Sequence, residues 1–145
     1  MFRHDVSHWP LVVSIASGPQ DATAARTFID SWNDWLSWNE PFATLRVFTD
    51  PLALQPRPEF LALVEDWLAA RRDAFRRNLM GIANIVPASQ YEHAQRVKLG
   101  EGFAAPARTF TDLDAGLHWL AAEIFGPREL PLDRDAVSAV IACAA

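Results

Sequence analysis

Short apolar runs rich in β-branched residues alternate with segments of helical period along this chain. That alternation constrains its fold more than any single residue does. Leu11-Val12-Val13-Ser14-Ile15-Ala16 is the first run, and Gly18-Pro19 stops it. Asp21 follows, where a carboxylate can accept the free N–H groups of a first helical turn. Ala25, Phe28, Ile29, Trp32 and Leu36 come next at helical spacing. Glu40-Pro41 ends that helix, because a residue before proline avoids the αR region. Phe42–Phe48 reads as a strand, with Leu45 and Val47 on one face. Phe42, Thr44, Arg46 and Phe48 share the other face.

A proline-rich loop runs from Pro51 to Pro58. Pro58 suits the first position of a long helix, where its missing N–H costs nothing. Leu61, Val64, Leu68, Phe75 and Leu79 make one stripe of that helix, and Gly81 is placed as its C′ residue. Ile82–Pro87 is a third strand. Ser89 with Glu92 forms a capping-box pattern that opens a short helix ending near Gly100. Ala107–Phe110 is a fourth strand. Thr111-Asp112 caps a helix carrying Leu113, Leu117, Leu120 and Ile124, and Gly126-Pro127 stops it. Phe2–Ser7 fits a further strand hairpinned onto Leu11–Ser17.

The order β-α-β-α-β-α-β-α predicts right-handed crossovers and a largely parallel sheet. The expectation is one α/β domain over residues 1–126, with a four- or five-stranded mostly parallel sheet and packed helices. Residues 127–145 are expected as a C-terminal tail, extended over Pro127–Asp135 and then an apolar helix or strand. At 145 residues and 50% hydrophobic, the chain can bury one core.

Its formal net charge of −5 argues against a nucleic-acid partner, which usually meets a basic excess. The single cysteine, Cys143, leaves no internal disulfide and fits a reducing, cytoplasmic setting. No apolar run approaches the roughly 20 residues that span a bilayer, so the chain is not expected to be transmembrane. No apolar stretch follows the first charges, so no signal peptide is expected.

A resemblance emerges from the segments taken together. Trp9-Pro10-Leu11-Val12-Val13 opens the pattern, and a tryptophan-rich first helix follows. Then come a strand ending in Thr49-Asp50, a helix ending Ala74-Phe75-Arg76-Arg77-Asn78-Leu79, and Gly81-Ile82-Ala83-Asn84-Ile85-Val86-Pro87. Arg108-Thr109-Phe110-Thr111-Asp112-Leu113 through Leu120 completes it. From Phe2 to Gly126 the chain resembles the small bacterial SpoIIAA-like proteins of the STAS/SEC14-like α/β class. The resemblance implies a regulatory or protein-binding module. Its SEC14-like side implies, as an alternative, a carrier or sensor of a lipid or other apolar molecule. The phosphorylatable serine of anti-sigma-factor antagonists is missing, since Thr49-Asp50-Pro51-Leu52 has no serine after the aspartate.

Catalytic patterns are sparse. His4, His8, His93 and His118 form no close metal pair, and no metal or cofactor is expected. There is no G-x-S-x-G elbow or phosphate-binding glycine loop. A small enzyme would need Asp50 to meet a histidine. Asp50 ends a strand at the sheet edge where open α/β folds place ligands, although an Asx turn or cap is the favoured reading. A non-enzymatic binding module is therefore the leading expectation. Thr49 and Asp50, with Ser89 and Tyr91, mark two loops expected at that edge. Arg72 and Arg76 share a helix face that is either solvated or a dock for an acidic partner. Phe60, Leu63, Trp67 and Ala74 make a second apolar stripe on the long helix. The stripe is either covered or an exposed aromatic patch, and in the second case Trp67 would serve a protein partner or a homodimer. Trp32 is expected in the core and Trp38 at the surface.

Overall fold

The computed structural model describes residues 1–144. Five strands form one sheet in the order β1 (Phe2–Asp5), β2 (Leu11–Ala16), β3 (Phe42–Phe48), β4 (Leu79–Ile85), β5 (Ala107–Phe110). β1 pairs antiparallel with β2, and every other pair is parallel. The α/β class, the mostly parallel sheet and the N-terminal hairpin strand all stand as the sequence pattern predicts.

Each parallel crossover advances by one strand in the same direction. Right-handed crossovers of that kind put their helices on one face. α1 (Ala22–Ser37), α2 (Pro58–Ala70) and α3 (Arg72–Asn78) pack there on Val12, Phe42 and Ile82. α4 (Tyr91–Arg96) carries the chain from β4 to β5. The opposite face is covered by α5 (Leu113–Trp119), a π-helical stretch over Leu120–Phe125, and α6 (Arg134–Ala144). Leu11, Val13, Ala43, Leu45 and Ala83 point into that second layer. With both faces buried, the strands are apolar on both sides, as parallel strands usually are.

The caps read from sequence are real where the side chain is short and acidic. Asp21 Oδ1 accepts from the Ala24 N–H at 2.9 Å, and Asp112 Oδ2 accepts from the Ala115 N–H at 3.2 Å. The capping box does not form. Ser89 lies in a 3₁₀ turn over Ala88–Gln90, and α4 starts only at Tyr91, with no side-chain cap.

The single long helix is also corrected. It breaks at Arg71 (φ −108°, ψ 14°), and α3 gives way to β4 at Leu79. The helical stripe ran on into the strand because Leu79 is apolar and buried in either conformation. The strand register shifts between Phe42 and Ala43, which pair with Leu79 and Gly81. Gly81 is thus a strand residue and not a helix C′. A Cβ there would lie 2.7 Å from Ile124 Cδ1, so glycine lets the π-helical stretch approach the sheet.

Both stripes are buried over part of their length, the first through Val64, Phe75 and Leu79 and the second through Trp67 and Ala74. Val64, Trp67, Ala74 and Phe75 are in the core, whereas Leu61 is exposed. Trp67 is 8% exposed, and its indole meets Phe75 edge-on at 5.1 Å and Trp32 at 6.1 Å. Its Nε1–H donates to Asn33 Oδ1 at 2.9 Å. The exposed aromatic patch that would have offered Trp67 to a partner is not there. Trp32 is core and Trp38 is 45% exposed, as expected. Beyond residue 127, α6 sits on β2 with Val137 fully buried and Val140 and Ile141 packed beside it.

Candidate functional site

One row of polar residues crosses the whole sheet in register. His4 pairs with Ser14, Ser14 with Arg46, Arg46 with Asn84, and Asn84 with Thr109. Paired residues on adjacent strands point to the same face, here the face under α1 and α2. A polar row inside a doubly covered sheet has to satisfy itself, because water cannot. It does so in part. His4 Nδ1 lies 2.8 Å from Ser14 Oγ, Arg46 Nε donates to Asn84 Oδ1 at 2.9 Å, and Asn84 Nδ2 donates to the Leu99 carbonyl.

Arg46 is the outlier of the row. It is 8% exposed, and buried arginines are rare unless paired. Nη2 has no hydrogen-bond partner. Burial lowers its pKa to about 10, and no neighbouring carboxylate opposes that effect. The guanidinium therefore stays charged near neutral pH. Phe48 and Phe103 receive it, with ring centroids 5.5 and 5.3 Å from Cζ. Cation–π contact of this kind offsets only part of a buried charge's lost hydration.

Arg46 lines a cavity of about 630 Å³. Phe28 of α1 and Phe60, Val64 and Leu68 of α2 form its apolar wall. Ala53 to Pro56, from the loop after β3, close one side, and Val97 to Phe103 close another. Gln20 contributes a further unpartnered acceptor, Oε1. The rim is tied across the sheet edge by His93, whose Nε2–H donates to the Leu54 carbonyl at 2.8 Å. Size and lining are those of a small-molecule site: mostly apolar, with a few fixed polar groups.

The residues singled out from sequence fall elsewhere. Thr49, Asp50, Trp67, Arg72, Arg76, Ser89 and Tyr91 are all absent from the cavity wall. Thr49 Oγ1 donates to the Ala16 carbonyl. Asp50 is a structural clasp: Oδ2 accepts from the Gly18 N–H at 2.9 Å and Oδ1 from the Ala53 N–H at 3.0 Å. Those two backbone donors hold its carboxyl below the usual carboxylate range. Both oxygens serve the backbone, and none of its hydrogen bonds goes to a histidine, so the Asp50–histidine pair does not form. Arg72 and Arg76 are exposed on α3, Ser89 is exposed, and Tyr91 accepts from Gln95 Nε2 at its hydroxyl. The loop after β3 does reach the cavity, but through Ala53–Pro56 and not through Thr49 or Asp50.

Arg46 was legible in principle. It shares a strand face with Phe42 and Phe48, and a lone arginine on such a face marks either an exposed strand or a buried charge with a task. Among the described residues, no group of three or more His, Cys, Asp or Glu side chains is placed to hold a metal. No helix is long and apolar enough to cross a membrane, again among the described residues. Comparison with protein-family models, curated proteins and solved structures returns no match.

His4 gives this row a pH signature. Burial against Trp35 lowers its pKa to about 4, so the folded chain holds the ring neutral. A depressed pKa favours the fold above the unfolded value and loses that contribution as pH falls. Stability should therefore drop between about pH 6.5 and 4, by on the order of 1–2 kcal/mol once partial solvation of the ring is discounted. Urea unfolding at pH 7 and pH 5 measures the drop. His4→Phe keeps the aromatic contacts and should flatten the difference; an unchanged pH slope would assign it to other groups.

Proposed function

We propose that this chain is a binding protein for an apolar small molecule, with the cavity beneath α2 as its site. The observation that carries the reading is the cavity itself: about 630 Å³, walled by Phe28, Phe60, Val64 and Leu68, with a charged arginine at its floor. The SEC14-like side of the sequence resemblance points the same way. Thr49–Pro58 and Pro87–Tyr91 stay in the picture as the loops at the carboxyl edge of the sheet. The regulatory, protein-docking reading that leads from sequence leaned in part on an exposed Trp67 face, and that part of its support is gone with Trp67 in the core. Leu61 and Val97 are the exposed apolar side chains at the cavity wall, as expected of an entrance that an apolar ligand must pass.

The neutral solvatochromic dye Nile red tests the reading directly. Titrating it should give saturable, blue-shifted emission at one dye per chain. Leu68→Trp, which places an indole across the cavity, should weaken binding by about tenfold, equivalent to about 1.4 kcal/mol. Emission that never saturates, or that is indifferent to Leu68→Trp, would refute the cavity as a site.

A further inference from the structure

Arg46 is charged, over nine-tenths buried and without a counter-ion, and it lines an apolar cavity. Stability alone gives little reason for that arrangement, because an apolar residue of similar volume usually serves a core better. The group is also held in a defined orientation. Nε is fixed by Asn84 Oδ1, Asn84 is fixed in turn by the Leu99 carbonyl, and Phe48 and Phe103 flank the guanidinium. What is left over is donor capacity at the terminal nitrogens, Nη2 having no partner.

The segment over Nη2 is the loop that carries Gly100. A Cβ at Gly100 would lie 3.1 Å from Ala107 Cβ and 3.5 Å from both Nη2 and Asn84 Nδ2, so glycine lets this loop lie close against the guanidinium. The same loop holds Lys98 (φ 52°), Gly100 (φ 88°) and Ala104 (φ 54°) in the left-handed region. Non-glycine residues pay strain there and persist only where their surroundings demand it.

We infer that the cavity takes a singly charged anionic amphiphile, a medium- or long-chain carboxylate. Its headgroup pairs with Arg46 and its chain lies along Phe28, Phe60, Val64 and Leu68. The inference rests on the reading of the cavity as a ligand site. A carboxylate suits a guanidinium fork and supplies the missing counter-charge. One negative charge matches one buried cation. A dianionic phosphate is disfavoured by the carboxylates of Glu65 and Glu101 in the same wall, against which Lys98 is the only other obligatory cation there.

The test compares dodecanoate, dodecanol and dodecyl phosphate by displacement of Nile red from delipidated protein. Dodecanoate should bind about 10- to 100-fold more tightly than dodecanol, the worth of a hydrogen bond to a charged group. In Arg46→Met the two should come within about threefold of each other. Arg46→Lys, which keeps the charge but not the fork, should fall between. The wild-type comparison decides the matter even if Arg46→Met does not fold. Equal affinities for acid and alcohol would overturn the inference while dye binding leaves the cavity reading intact. A preference for the phosphate, or an acid preference that survives in Arg46→Met, would overturn it as well. Failure of every amphiphile and of the dye would overturn both readings.

Discussion

Trp67→Ala is expected to lower the unfolding free energy by about 3–5 kcal/mol, the range for truncating a buried aromatic residue. The indole is 8% exposed and packs on Phe28, Trp32, Phe75 and Phe103. Alanine would leave a hole in the middle of that cluster. The neighbouring helices can close it only partly, because α1 and α2 are each anchored on the sheet. A second loss comes from Asn33, whose Oδ1 would lose the Nε1–H donor. Trp67→Phe separates the two effects: it keeps ring contact and should cost about 1–2 kcal/mol, mostly from the lost hydrogen bond and volume. Urea titration of both variants measures the difference. If Trp67 were a surface docking residue, both changes would stay within about 0.5 kcal/mol of wild type.

Ending the chain after Asp133 is expected to have an effect of similar size. It removes α6 and with it Val137, which is fully buried, and Val140 and Ile141, which are partly so. At about 1.5–3 kcal/mol for a fully buried aliphatic side chain, the three together give roughly 3–5 kcal/mol. The deletion also exposes the β2 face carrying Leu11 and Val13. A chain with a marginal reserve of about 5–15 kcal/mol would then sit near its threshold. Loss of cooperative unfolding, or a melting temperature lowered by well over 10 °C, is the result to look for. An unchanged melting curve would show that α6 adds nothing to the core.

Both expectations turn on residues whose place the linear pattern left open. Helical spacing showed two apolar stripes on residues 58–79, one through Leu61 and Leu68, the other through Phe60 and Trp67. Period alone cannot say which residues of each stripe face inward, since each stripe is internally consistent. The tertiary packing uses parts of both: Val64 and Phe75 are buried from the first, Trp67 and Ala74 from the second, with Trp67 meeting Phe28 and Trp32 of α1, while Leu61 is left exposed. The break at Arg71 was hidden for a related reason. The apolar stripes resume on the far side of Arg71-Arg72-Asp73, and neither glycine nor proline marks that break or the change from helix to strand at Leu79. Ser89 shows the limit of a local motif: the capping box fits its sequence, but the chain leaves β4 through a 3₁₀ turn and delays the helix.

The candidate site was less legible than the fold. Its strongest residue, Arg46, could be put on the correct strand face from alternation alone. Its meaning could not, because the face is made significant by Phe103 and Leu99, more than fifty residues away. Asp50 is the reverse case. Its position at the strand end was right and suggested chemistry, but the Gly18 and Ala53 N–H groups occupy its carboxylate.

What the chain determines by itself is the order and direction of its elements. Alternating periods, the acidic caps at Asp21 and Asp112, and the proline at position 58 are local signals, written within a few residues of where they act. They suffice for an α/β sheet whose strands follow one another in space. The cavity belongs to the tertiary structure alone. Gln20, Arg46, Leu54, Leu68, His93 and Phe103 meet only because successive crossovers bring six separate segments to one edge of the sheet. Burial, and with it the cost of an unpaired charge, is a property of that convergence and has no counterpart along the chain.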